Sequence, residues 1–171
     1  NAWHHTFGLP VTISNCSNNY GPWQFPEKLI PLTIFKALSS QKIPVYGKGL
    51  NIRDWLHVAD HVNGLIKIVN NGEVGTKYCI GGDSEKSNLD VVKMICTYLD
   101  KVSPKDNSHS ELITFVRDRP GHDFRYAINA NKIKKSLGWR NSIAFNMGLY
   151  KTIDWYIKNQ KWCANVLAKS H

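Results

Sequence analysis

The sequence contains no G-x-G-x-x-G, the glycine pattern that lets a backbone turn approach a dinucleotide pyrophosphate, so it shows no dinucleotide cradle of its own. It has no G-x-S-x-G elbow, which excludes the common serine-hydrolase layout. It has no zinc signature either, and the pairs His4-His5 and His57/His61 lack a third ligand at a workable spacing, so no metal is expected. No apolar run approaches the ~20 residues of a membrane span, and no membrane association is expected. Cysteine is sparse and scattered: Cys16, Cys79, Cys96 and Cys163 form no C-x-x-C and read as free thiols of a cytoplasmic protein. Acidic residues are few, 13 against 22 Lys and Arg, for a formal charge of +9. Such an excess attracts polyanions: nucleic acid, a nucleotide diphosphate, or an acidic partner half. No basic run is interleaved with aromatics, so nucleic acid is not the expected partner. The Asn start, with no signal-peptide pattern, suggests a chain cut from, or expressed from inside, something longer.

What is present is enough for a folded domain: 171 residues, 42% apolar and 20% charged. Asn1 to Phe7 reads as the tail of a helix ended by Gly8. Val11 to Ser14 reads as a strand running into an Asn18-Asn19 loop. Glu27 to Leu38 is helical by the spacing of Ile30, Ile34 and Leu38. Ile43 to Tyr46 is a short extended piece and Ile52 to Val58 a strand. Val62, Leu65, Ile66 and Val69 form an amphipathic stripe on the next helix, and Lys77 to Ile80 is again a strand. This strand–helix–strand order implies a parallel crossover unit. Beyond it come a helix capped by Ser87 or Asn88, a strand at 113–116 and a polar loop at 118–123. A short helix capped by Asn129 runs through Leu137 and is stopped by Gly138. The last helix runs from about Phe145 to Asn159.

Special residues concentrate in three loops: Asn18/Asn19 with Lys28, then Tyr46 to Arg53, then Arg117 to His122. Neutral amides, arginine forks and a close-turning Gly121 suit a phosphorylated ligand. The plainer readings are that Asn-Asn-Tyr-Gly-Pro is only a turn, and that Arg53-Asp54 and Asp118-Arg119 are surface ion pairs. Both readings stand at this level. No Tyr lies four residues ahead of a Lys near the start, so the residues show an anion pocket without a catalytic machine.

Several stretches together resemble the dTDP-glucose 4,6-dehydratases of the extended short-chain dehydrogenase/reductase group. They are Asn15 to Pro22, Phe25 to Pro31, Pro44 to Gly49, Ile52 to Val58, Tyr78 to Gly82, Asn88 to Val92 and Asp118 to Asp123. The resemblance implies an NAD-dependent lyase acting on a dTDP-hexose, with oxidation at C4, loss of water across C5 and C6, and return of hydride to C6. It implies an α/β fold. Residues 1–17 and 52–82 would be the remnant of a Rossmann-type parallel sheet. Residues 18–51 and 83–171 would be a smaller, mixed α/β nucleotide-sugar-binding domain. By the same resemblance Asn18 meets the substrate and Asn19 the nicotinamide end of NAD. Lys28 and Leu29 line the nucleotide pocket, Pro44 and Tyr46 lie against thymine and deoxyribose, and Arg53 and Arg119 hold the pyrophosphate. Asn88 and His122 complete that set. The Gly-rich loop, the Asp-Glu pair and the Tyr-x-x-x-Lys motif would lie ahead of Asn1. The expected partners are therefore the substrate, the N-terminal half of the same enzyme and, when intact, a second copy in a homodimer. The chain alone is expected to be inactive. The alternatives are a UDP-sugar 4,6-dehydratase or epimerase, and a non-catalytic nucleotide-sugar-binding module. A Thr cap usual before the last helix is replaced by Ala144, with Ser142 as the candidate substitute.

Overall fold

The computed structural model describes residues 2–168. Its organising feature is a strand that changes partners. β1 (Ile13–Cys16) lies parallel to β5 (Lys77–Ile80), with Cys16 opposite Ile80. β2 (Asn18–Tyr20) lies parallel to β4 (Ile52–His57), with Asn18 opposite Trp55. Only Ser17 separates β1 from β2, and its N–H still donates to the Ile80 carbonyl at 3.0 Å. The crossover elements are present, with α3 (Val58–Asn71) between β4 and β5. However, β4 and β5 pair with two successive strands, β2 and β1, and not with each other. Parting parallel strands open a crevice at their carboxyl ends, where ligands sit in α/β sheets.

Two local expectations change accordingly. Asn18 and Asn19 lie in a strand, not in a loop; pairing with β4 overrides the poor strand propensity of Asn. The first strand begins at Ile13 and not at Val11, whose carbonyl instead accepts from the Gly75 N–H at 2.7 Å.

The remaining strands frame the crevice. β4 is flanked by β6 (Glu85–Ser87), antiparallel, and by β8 (Arg125–Tyr126), parallel. β3 (Ile43–Tyr46) runs parallel to β7 (Ile113–Val116), so the loops that follow both strands emerge side by side. Gly47 sits between them at φ +55°, and a Cβ there would press on the Asp118 carboxylate. At Gly82 a Cβ would lie 1.9 Å from the Trp55 carbonyl, so the loop after β5 can hug β4 only without a side chain.

The helices follow their sequence signals. α1 (Ala2–Phe7) ends at Gly8. α2 (Leu29–Leu38) buries Ile30, Ile34 and Ala37, and Pro31 falls in the first turn, where no N–H partner is lost. α4 (Asn88–Val102) is capped by the Ser87 hydroxyl, which accepts from the Asp90 N–H at 3.1 Å. Such a cap contributes about 1 kcal/mol. α5 (Asn131–Leu137) starts where the Asn129 side chain accepts from the Asn131 N–H, and Gly138 ends it. α6 (Phe145–Lys158) buries Phe145, Leu149, Ile153 and Tyr156. Ser142 does not cap it: the Ser142 hydroxyl donates to Asp60 at 2.7 Å, and the same carboxylate accepts from the Ser142 and Ile143 N–H groups. α7 (Gln160–Ala168), absent from the sequence reading, follows after Asn159 alone.

Two cores result. One joins α2, α4 and α6 around Ile34, Ile95 and Leu149; the other joins α3, α5 and β5 around Ile68, Ile80, Ile133 and Trp139. The apolar stripe of α3 has the right period but faces outward: Val62, Ile66 and Val69 are exposed and Leu65 only half-buried. The inward line is Asp60, Gly64 and Ile68, because Gly64 lets the helix approach Ile80 and the Trp139 indole closely. Among the described residues no helix is long and apolar enough to cross a membrane.

Candidate functional site

The sequence-predicted residues gather round one cavity of about 390 Å³. Asn18 reaches it from β2, and Lys28 and Leu29 from the start of α2. Pro44 and Tyr46 come from β3, Arg53 from β4 and Asn88 from the start of α4. Arg119 and His122 come from the loop after β7. A polar cavity of about 330 Å³ adjoins it, and the two share Asn18, Arg53 and Arg119.

Arg53 does not form a surface ion pair with Asp54. Arg53 is 7% exposed and donates to the carbonyls of Ile52 and Asp123 at 2.7 and 2.9 Å. Its neighbour Asp54 instead receives the N–H groups of Gly82 and Ser84. Burial lowers the Arg53 pKa from its usual value; Asp123 opposes this and Arg119 adds to it. Two guanidinium groups that repel each other, the first with three of its five N–H donors still free, suit an anion with several oxygens.

The loop carrying Arg119 and His122 is tied down at both ends. The Asp123 carbonyl accepts from Arg53 and also from the Asn51 side chain at 3.2 Å. Asp118 accepts from the Arg119 N–H and pairs with His122 Nδ1 at 2.7 Å. Chiefly through that His122 bond, the Asp118 carboxyl is held below its ordinary range. The His122 ring meets the Tyr46 ring edge-on, with centroids 6.4 Å apart. Lys28 is exposed at the rim of the cavity and pairs with Glu27, which lines the same cavity.

Asn19 stands apart from this cavity, in a smaller cleft formed with Gly21 to Gln24. Its amide donates to the Ser17 carbonyl and Cys16 Sγ, and its Oδ1 faces His61 Nδ1 at 2.9 Å. Because Oδ1 can only accept, His61 carries its proton on Nδ1. His57 Nδ1 accepts the Ala59 N–H and caps α3. Among the described residues no group of three metal-ligating side chains gathers.

Sequence reasoning missed Asn51, Asp118 as the partner of His122, His61 as the partner of Asn19, and Trp55. Only Trp55 had a usable signal: two residues beyond Arg53 on a strand, it must share that face. A cleft of about 540 Å³ lies elsewhere, between Ser40 and the 105–112 turn, and contains none of the predicted residues.

A family model described as GDP-mannose 4,6 dehydratase matches residues 1–152. The chain belongs to this family. It is 54% identical over 165 residues to dTDP-glucose 4,6-dehydratase 1 of Escherichia coli K12, covering 96% of this chain and 46% of that protein. It is 56% identical over 161 residues to a probable dTDP-glucose 4,6-dehydratase of Sinorhizobium fredii, covering 94% and 46%. The crystal structure of dTDP-glucose 4,6-dehydratase from Bacillus anthracis, in complex with NAD, superposes with a TM-score of 0.87 at 47% identity, covering 96% of this chain and 50% of that one. The expected α/β fold with Rossmann-type parallel strands is shared with such family neighbours. The chain spans about half the length of the curated relatives it matches.

Proposed function

We propose that this chain is the nucleotide-sugar-binding part of an NAD-dependent dTDP-glucose 4,6-dehydratase. The observation that carries the reading is the convergence of all nine substrate-binding residues expected from the sequence on one cavity. Identity above 50% to relatives named for dTDP-glucose favours that substrate over a UDP-sugar. Tyr46, Pro44 and Leu29 offer the nucleoside an apolar wall, and Arg53 and Arg119 clamp the diphosphate. Asn88 and His122 supply further polar contacts. The chain's own work is therefore to bind and orient the substrate, which converts binding energy into correct placement. When bound, NAD supplies the hydride acceptor and donor of the reaction. Asn19 fits a marginal contact with it: both amide donors are used internally, and the one remaining Oδ1 lone pair matches an amide N–H such as that of the nicotinamide.

The proposal extends to a division into a dinucleotide-side unit, residues 1–17 and 52–82, and a nucleotide-sugar unit, residues 18–51 and 83–171. The cores follow the division in part: one draws on the second unit except for Trp55, and the other joins Leu56, Ile68, Tyr78 and Ile80 of the first unit to Ala130, Ile133 and Trp139 of the second. It also includes a cytoplasmic parent enzyme acting as a homodimer. Calorimetric titration of the chain with dTDP, UDP and thymidine tests the site. dTDP should bind most tightly, UDP more weakly and thymidine, lacking the diphosphate, weakest. Equal affinities for dTDP and thymidine would remove the arginine clamp from the reading.

A further inference from the structure

Five buried side-chain polar atoms among the described residues find no partner in the fold. Three of them, Ser17 Oγ, Asn18 Oδ1 and Trp55 Nε1, belong to residues lining the two adjoining cavities. A buried indole N–H almost always has an acceptor, because leaving it unpaired forfeits its hydration. Trp55 is 6% exposed and can only donate. It lies on the wall of the larger cavity, on the same face of β4 as Arg53 and opposite Asn18 in the strand register. Its ring lies edge-on to Tyr20 at 6.5 Å between centroids and tilted against Phe145 at 6.4 Å.

We propose that Trp55 is a ligand-binding residue whose indole N–H donates to an oxygen of the nucleotide sugar, beside the acceptor Oδ1 of Asn18. This rests on the reading of the cavity as a nucleotide-sugar site and adds a contact to it. A neutral donor next to a neutral acceptor matches a hydroxyl, which can accept and donate at once, while a lone donor also serves a phosphate oxygen. Both sources present the same chemistry, an oxygen acceptor at hydrogen-bond distance. Trp55 thereby adds directional selection to a clamp whose two arginines recognise charge.

The test uses the 171-residue chain, wild type and Trp55→Phe, titrated with dTDP and with dTDP-glucose. The Phe variant keeps an aromatic ring and removes the donor, so affinity should fall roughly three- to tenfold, the factor for one neutral hydrogen bond. A loss with both ligands places the acceptor in the nucleoside diphosphate, and a loss with dTDP-glucose alone places it in the hexose; either supports the proposal. In parallel, the backbone-assigned Trp55 indole resonance of the wild type should shift downfield on ligand addition, a readout independent of whether the Phe variant folds. Equal affinities together with a stationary indole resonance would overturn the proposal and leave the cavity reading intact. If the Phe variant fails to fold, the indole resonance alone decides. Failure of the wild type to bind either ligand would overturn both.

Discussion

At the scale of single residues, burial separates side chains that look equivalent in the sequence. Arg53 and Arg119 both read as phosphate ligands, yet Arg53 is buried and Arg119 is exposed. Arg53→Ala should therefore weaken dTDP binding by about 2–5 kcal/mol, because a desolvated phosphate loses its partner. Arg119→Ala should cost less, and its effect should shrink as salt is raised, as expected of a rim charge. Calorimetry at two ionic strengths reads both, and identical salt dependence for the two variants would contradict the assignment. For Tyr46 the ring face is the expected contact. Tyr46→Ala should lose about 1–3 kcal/mol of affinity, by analogy with base–aromatic stacking, and Tyr46→Phe much less. Equal losses would show that the hydroxyl carries the contact.

At the scale of elements, α3 offers two tests. Its inward face is set by Gly64 and Ile68, so Ile68→Ala should cost about 2–5 kcal/mol of stability. Val69→Ala, at a position 81% exposed, should stay within about 0.5 kcal/mol. Urea unfolding of the two variants decides, and the reverse order would restore the stripe read from the sequence. The second test is pH. Burial lowers the pKa of both His57 and His61 below the ordinary histidine value, and Lys151 adds to this at His57 while Asp60 opposes it. The unfolded chain therefore takes up protons first on acidification. Stability is fully present above about pH 6.5 and is lost as pH falls from there through the folded values. His57→Asn keeps a side-chain cap for α3 without titrating. It should flatten the decline in urea midpoint between neutral and mildly acidic pH, and an unchanged decline would exclude His57 as a source.

At the scale of the whole molecule, the cavity gathers side chains from six segments of the described residues. Its polar lining is Asn18, Asn88, Arg53, Arg119, Tyr46, Trp55, Lys28 paired with Glu27, and His122 paired with Asp118, a set suited to holding a ligand. Positioning without acid and base groups leaves the proton transfers of a dehydration uncatalysed. Supplied with NAD and dTDP-glucose, the 171-residue chain should form no 4-keto product above background while still binding dTDP. Product formation, seen by its alkaline absorbance at a rate near that of a full-length family member, would refute this.

Local chemistry alone determined much of the chain. Gly8 and Gly138 end helices, Ser87 caps one, and the four-residue spacing of Ile30 and Ile34 marks a buried face, because each effect acts within a few residues. The nine cavity residues were legible through the family motifs that carry them, and their neighbours Trp55 and Asn51 were not singled out. Only the tertiary structure decided that Asn18 and Asn19 belong to a strand, since the partner that makes them one is β4, more than thirty residues away. It also decided which face of α3 is inward, because Gly64 matters only against Ile80 and Trp139. The change of partner at Ser17 has the same origin: β1 pairs with β5 and β2 with β4, and the two cavities that share Asn18 lie beside that division. Hydrogen-bond partners this distant in sequence leave no periodic trace in it.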